Sequence, residues 1–151
     1  MTRSNARELA AHLIYELDYT GESAQETLTH RMERDYYDAL ASENEVYAER
    51  PSKKQLAYIQ TCVSGVAEHT QELDELIAKY AIRWNLHRIS RFTKAALRLA
   101  MFEILYVEDV PTGVAINECV ELTRKYEEED VVSFVNGILG SFARELKEQE
   151  K

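Results

Sequence analysis

Four histidines, two cysteines and a serine beside a glycine are the residues of this sequence best suited to covalent or metal chemistry. Their spacing argues against it. His12, His30, His69 and His87 are scattered. A zinc site usually draws ligands from short-range pairs such as H-E-x-x-H or C-x-x-C, and neither pattern occurs. Cys62 and Cys119 lie far apart. They read as reduced thiols in or near the core rather than as metal ligands. Ser64 precedes Gly65 without the G-x-S-x-G frame of a nucleophile elbow. A Gly-rich phosphate loop would need a preceding strand, and the chain offers none. Carboxylates recur at i, i+4, but a solvated helix face accounts for them without acid–base work. The expectation is a protein that is not an enzyme and holds neither metal nor cofactor.

The elements that would position any site are helical. The chain has 151 residues, room for one domain with a sizeable core. Hydrophobic residues make up 45% and charged residues 30%, with only two prolines and five glycines to break helices. These numbers predict a single all-α domain of six or seven helices. No apolar run approaches the ~20 residues of a membrane span. The polar, charged start shows no secretory signal, so the expected location is cytoplasmic. The formal charge of −9 disfavours indiscriminate nucleic-acid binding but leaves room for a local basic face.

In the first segment, Ala6, Leu9, Ala10, Leu13, Ile14 and Leu17 repeat at helical spacing. Thr2 or Ser4 is placed to cap that helix and Gly21 to end it. A weaker helix is expected from Ser23 to about Ser42, with Ser23 and Glu26 as a capping box and a thin stripe of Leu28, Met32, Tyr36 and Leu40. Residues 43–52 read as an acidic loop. A long helix follows from Ser52 to about Ala81, with a bend or break near Gly65 or Thr70. The stretch RWNLHRIS reads as a tight connection, with Trp84, Leu86 and Ile89 plugging one end of the core. Next comes a helix around RFTKAALRLAMFEILYVED, apolar almost all round and so central, with Arg98 and Glu103 paired or at its edge. Pro111 opens the following helix. Asp130 is placed to cap the last one.

That last segment, SFVNGILGSFARE, combines two conflicting signals. Asn136-Gly137 is a strong hairpin pair. Yet Phe134, Ile138, Phe142 and Leu146 recur every four residues, a helical stripe. The helical reading wins. Gly137 is then expected on or beside the inner stripe, where a missing side chain lets another backbone come close, or at a local kink.

The run LRLAMFEILYVEDVPTGVAINECVELTRKY, followed by SFVNGIL, resembles the NusB family of bacterial transcription antitermination factors. The likeness extends back to ARELAAHLIYELD and LDELIAKYAIRWNLHRIS and spares only about residues 22–52. It implies two packed three-helix bundles. It further implies binding of the boxA element of ribosomal RNA leader transcripts together with NusE, a small-subunit ribosomal protein, within the RNA polymerase antitermination complex. By this resemblance the RNA face joins the start of the first helix to the start of the last. Arg3, Arg7, Tyr15, Asp130 and Phe134 match family positions, and Lys125 and Tyr126 could line the same face. A partner surface would include Thr93 and Lys94.

Each residue also has a plainer reading. Arg3 and Arg7 suit a solvated face, Tyr15 a core boundary, Phe134 the apolar stripe, and Asp130 a helix cap. The sequence also departs from the family pattern. Ser133 stands where a cation is usual, Gly113 and the Ser4-Asn5 pair lack frequent basic residues, and Glu127 to Glu129 add negative charge. Thr93 replaces a usually acidic residue. Fewer cations mean a smaller counterion-release gain, so weak RNA binding without the partner is expected. Three alternatives stay open: a protein-interaction module that has lost RNA affinity, an RNA-binding domain of the kind attached to ribosomal RNA methyltransferases, and a homodimer.

Overall fold

A computed structural model of the chain describes residues 1–81 and 89–149. Trp84, Leu86 and His87 lie outside the described residues. Those described form eight α-helices and no strand. The chain divides into two compact units, residues 1–68 and 69–151.

The first unit contains α1 (Arg3–Thr20), α2 (Ala24–Met32), α3 (Arg34–Leu40), a 3-10 turn (Glu45–Ala48) and α4 (Lys53–Glu68). The Thr2 hydroxyl accepts from the Asn5 amide at 3.0 Å, which settles the cap of α1. Gly21, at φ 74°, closes the helix with its amide on the Leu17 carbonyl. Leu9, Leu13 and Ile14 on α1, with Ile59, Cys62 and Val63 on α4, are almost wholly buried. These two helices pack together, and α2 packs against both.

The expected helix from Ser23 to Ser42 is broken. Glu33 takes an extended conformation (φ −55°, ψ 131°) between α2 and α3. The break shifts the helical register: Tyr36 is exposed, and Tyr37 is fully buried instead. The Tyr37 hydroxyl then donates to the Glu49 carbonyl at 2.6 Å. Arg50 donates to the carbonyls of Met32, which ends α2, and of Arg34, which begins α3, and so bridges the break. The acidic loop also holds more order than expected, since Val46 and Tyr47 of the 3-10 turn are buried.

The second unit contains α5 (Thr70–Tyr80), α6 (Arg91–Tyr106), α7 (Thr112–Tyr126) and α8 (Glu129–Gln149). Helix α6 is central, packing against α5, α7 and α8. It is buried without interruption from Ala95 to Glu103. Arg98 and Glu103 are therefore inside rather than at an edge. Arg98 makes a bidentate pair with Asp74 of α5 at 2.7 and 2.9 Å. The expected interruption of the long helix falls at His69, whereas Gly65 stays within α4, buried. Pro111 occupies the cap position of α7, and Ile89 is half-buried.

Two expectations for α8 are corrected. The helix begins at Glu129, so Asp130 sits in its first turn and is not the cap. Its carboxylate still opposes the positive end of the helix dipole. Gly137 is exposed, and a Cβ added there would meet nothing within 4 Å. The Asn136-Gly137 pair therefore lies on the outer face of α8, and no close backbone approach explains the glycine.

Candidate nucleic-acid interface

In the first unit, the start of α1 is tied down near the start of α4. Ser52 and Gln55 form a reciprocal capping box: the Gln55 side-chain oxygen accepts from the Ser52 amide at 2.9 Å, and the Ser52 hydroxyl accepts from the Gln55 amide at 3.2 Å. The Gln55 side-chain amide also donates to the Met1 carbonyl. Two turns of helix carry Arg3 and Arg7 to one tyrosine of α4. The Arg3 guanidinium lies 4.2 Å from the centre of the Tyr58 ring, and that of Arg7 lies 6.0 Å from it. Arg3 is exposed and Arg7 is buried.

Tyr15 is 38% exposed. It follows Arg7 by eight residues, which puts it roughly 12 Å further along α1 and about 80° around it. The structure thus joins Arg3 and Arg7 at Tyr58 and leaves Tyr15 on a different part of the helix. Lys53 and Lys54, exposed at the start of α4, add cations to the first turn of the helix that carries Tyr58.

In the second unit, Lys125 and Tyr126 end α7 in exposed positions. The Lys125 ammonium lies 5.8 Å from the Tyr126 ring centre. Phe92, half-buried at the start of α6, meets the Tyr126 ring at 4.5 Å between centroids. This aromatic pair is the feature the sequence reading missed; Phe92 was indistinguishable there from the apolar stripe of α6. Asp130 is exposed on the following helix. Phe134 is only 6% exposed, so its ring belongs to the packing of this unit and does not present a face for stacking.

The acidic loop is less free than its sequence suggests. The Glu127 carboxylate accepts from Ser90 at 2.6 Å and from Thr93 at 3.1 Å, which places negative charge at the N-terminal end of α6. Thr93 itself has no accessible surface, so it supports this cluster and is not offered to a partner; Lys94 is half-buried. Arg124 bonds to both Glu121 and Glu129, whose carboxylates hold its guanidinium more firmly protonated.

Other polar groups are structural. The Tyr47 hydroxyl meets His12 Nδ1 at 2.9 Å and accepts from Arg31, which also pairs with Glu16. Burial pushes the Tyr47 phenol up to about 12, against the opposing pull of the Arg31 cation. Both cysteines are buried, and burial raises the Cys119 thiol to about 12. Among the described residues, no group of three or more His, Cys, Asp or Glu could hold a metal ion. No described helix is long and apolar enough to cross a membrane.

The profile of the NusB family matches residues 4–144. A transcription antitermination protein NusB from Clostridium perfringens is 36% identical over 147 residues, covering 97% of this chain and all of that protein. The corresponding protein of Bacillus subtilis is 30% identical, covering 98% and 99%. Among solved structures, T. maritima NusB superposes with a TM-score of 0.77 at 27% identity, over 96% of this chain and 92% of that one. A second structure, of antitermination factors NusB and NusE in complex with dsRNA, matches with a TM-score of 0.70 at 25% identity, over 92% and 93%. With its sequence matched nearly end to end and its helices superposed on solved members, this chain belongs to the NusB family.

Proposed function

We propose that this chain is a transcription antitermination factor that binds boxA-bearing RNA of ribosomal RNA leader transcripts together with NusE. It acts in the cytoplasm as a binding component of the RNA polymerase antitermination complex, not as an enzyme. The observation that carries this reading is the near full-length match to a family with a solved member captured with both NusE and RNA.

The site residues fit the chemistry. Single-stranded RNA is held by cations on phosphates and by aromatic or guanidinium planes on bases. Arg3, exposed over the Tyr58 ring, offers the first, as does Lys125; Arg7 is buried and packs beside the same ring. Tyr126, 40% exposed and backed by Phe92, offers a stacking surface. Tyr15 extends the aromatic surface of α1, and Asp130 adds hydrogen-bond acceptors beside Tyr126 in sequence. Phe134 acts from beneath by packing the start of α8. For the partner surface, Lys94 is the residue with accessible charge, and Thr93 acts through the Glu127 cluster.

The test is a titration of labelled boxA RNA with the chain, with and without NusE, at two salt concentrations. Salt-dependent binding that tightens with NusE and weakens in Tyr126→Ala is the expected result. Unchanged NusE binding with no RNA bound in either case would favour the second reading, an interaction module that has lost RNA affinity. The commitment of Arg124 to two carboxylates is the observation on that side.

A further inference from the structure

We infer that Tyr58 is a positioning residue of the RNA site, holding the exposed Arg3 in a binding-ready arrangement with the buried Arg7 beside the same ring; the inference rests on the RNA-binding reading above. A free arginine loses rotamer entropy when it grips a phosphate. On this chain part of that loss is met before RNA arrives. The Arg3 guanidinium already lies over the Tyr58 ring at 4.2 Å, within the range of a cation–π contact, and Arg7 approaches the same ring at 6.0 Å. The ring is itself fixed. Tyr58 stands one turn beyond Lys54 on α4, half-buried, and the buried Ile59 follows it directly. Gln55 ties the backbone at Met1 to the same end of α4, against which α1 packs.

This geometry separates two roles that a half-buried tyrosine could have. A base-stacking tyrosine needs an open ring face. Here a guanidinium covers a face of Tyr58, so the outward plane available to RNA is that of Arg3, which is exposed. The hydroxyl plays no part in this role; the aromatic face does. That gives a discriminating pair of substitutions, since Tyr58→Phe keeps the face and Tyr58→Leu keeps bulk without it.

The experiment titrates labelled boxA RNA with the full chain plus NusE over a range of salt. It compares the parent with Tyr58→Phe, Tyr58→Leu, Arg3→Gln and the double variant Tyr58→Leu/Arg3→Gln, and measures NusE affinity and thermal melting alongside. Tyr58→Phe is expected to match the parent. Tyr58→Leu is expected to weaken RNA binding roughly tenfold, the upper range of a partly desolvated cation–π contact. Its salt slope should be shallower, by an amount similar to that of Arg3→Gln. The double variant should lose little more than either single one, because both remove the same arrangement. RNA affinity and slope unchanged in Tyr58→Leu would overturn the role of Tyr58, as would fully additive losses. Equal losses in Tyr58→Phe and Tyr58→Leu would overturn it too. Absence of RNA binding by the parent, with NusE bound, would overturn the RNA-binding reading and this role with it.

Discussion

At the scale of single residues, burial decides which side chains are chemically available. Cys119 is buried, and its thiol is pushed up to about 12. A thiol that ionises so late is a poor nucleophile at neutral pH. Native protein treated with a thiol reagent at pH 8 should leave Cys119 unlabelled, and denatured protein should label it fully; mass spectrometry reads both. Tyr47 gives a pH prediction. Its folded pKa, about 12, exceeds the ordinary value of 10.0. The unfolded chain therefore releases this proton first as pH rises. Stability is full below about pH 10 and is lost between about pH 10 and 12, by roughly 3 kcal/mol at most. Tyr37, also raised by burial, adds to the same decline. Urea titrations at pH 9, 10 and 11 should show it, and Tyr47→Phe should flatten it. Gly137 makes a third case. It is helical, exposed and faced by open space. Gly137→Ala is expected to stabilise the protein by up to about 1 kcal/mol, measured as a shift of the urea midpoint.

At the scale of elements, the sequence was most informative where apolar spacing was dense. The pattern from Ala6 to Leu17 and the run from Phe92 to Val107 placed α1 and α6 closely. It was least informative around residues 22–52. The stripe Leu28, Met32, Tyr36 and Leu40 looked continuous. The break at Glu33 was invisible because its compensation comes from Arg50, sixteen residues after Arg34. The same distance effect hid Tyr58 from the site. Nothing in the spacing of α4 announces that two guanidiniums of α1 lie against it. Gly137 and Asp130 misled for a different reason, since residue type suggested a packing role and a cap that a shift of one or two positions removes. The pairing of α5 with α6 yields a prediction at this scale. Asp74→Ala takes away the bidentate acceptor of a buried guanidinium. It should cost about 1–3 kcal/mol, seen in the urea midpoint, with Asp74→Glu recovering part of the loss.

At the scale of the whole molecule, a charge of −9 sets the terms on which RNA can bind. If the exposed Arg3 and Lys125 each neutralise one phosphate of single-stranded RNA, the salt slope is about −1.4. Raising salt from about 50 to 200 mM should then weaken the complex of the isolated chain by roughly sevenfold. A steeper slope in the presence of NusE would show the partner adding its own phosphate contacts. The outer face of α8 bears on this balance through time rather than geometry. Asn-Gly is the dipeptide in which the following amide nitrogen most readily attacks the asparagine side chain, expelling ammonia through a succinimide and leaving aspartate or isoaspartate. Inside a helix that nitrogen's hydrogen is committed to a carbonyl four residues back, and the backbone is held away from the attack geometry. Conversion at Asn136 therefore proceeds only when α8 opens locally. The slow appearance of one extra negative charge in stored protein is thus a chemical clock for the opening of that helix. Gly137→Ala should slow it twice, by blocking the attack and by keeping the helix shut.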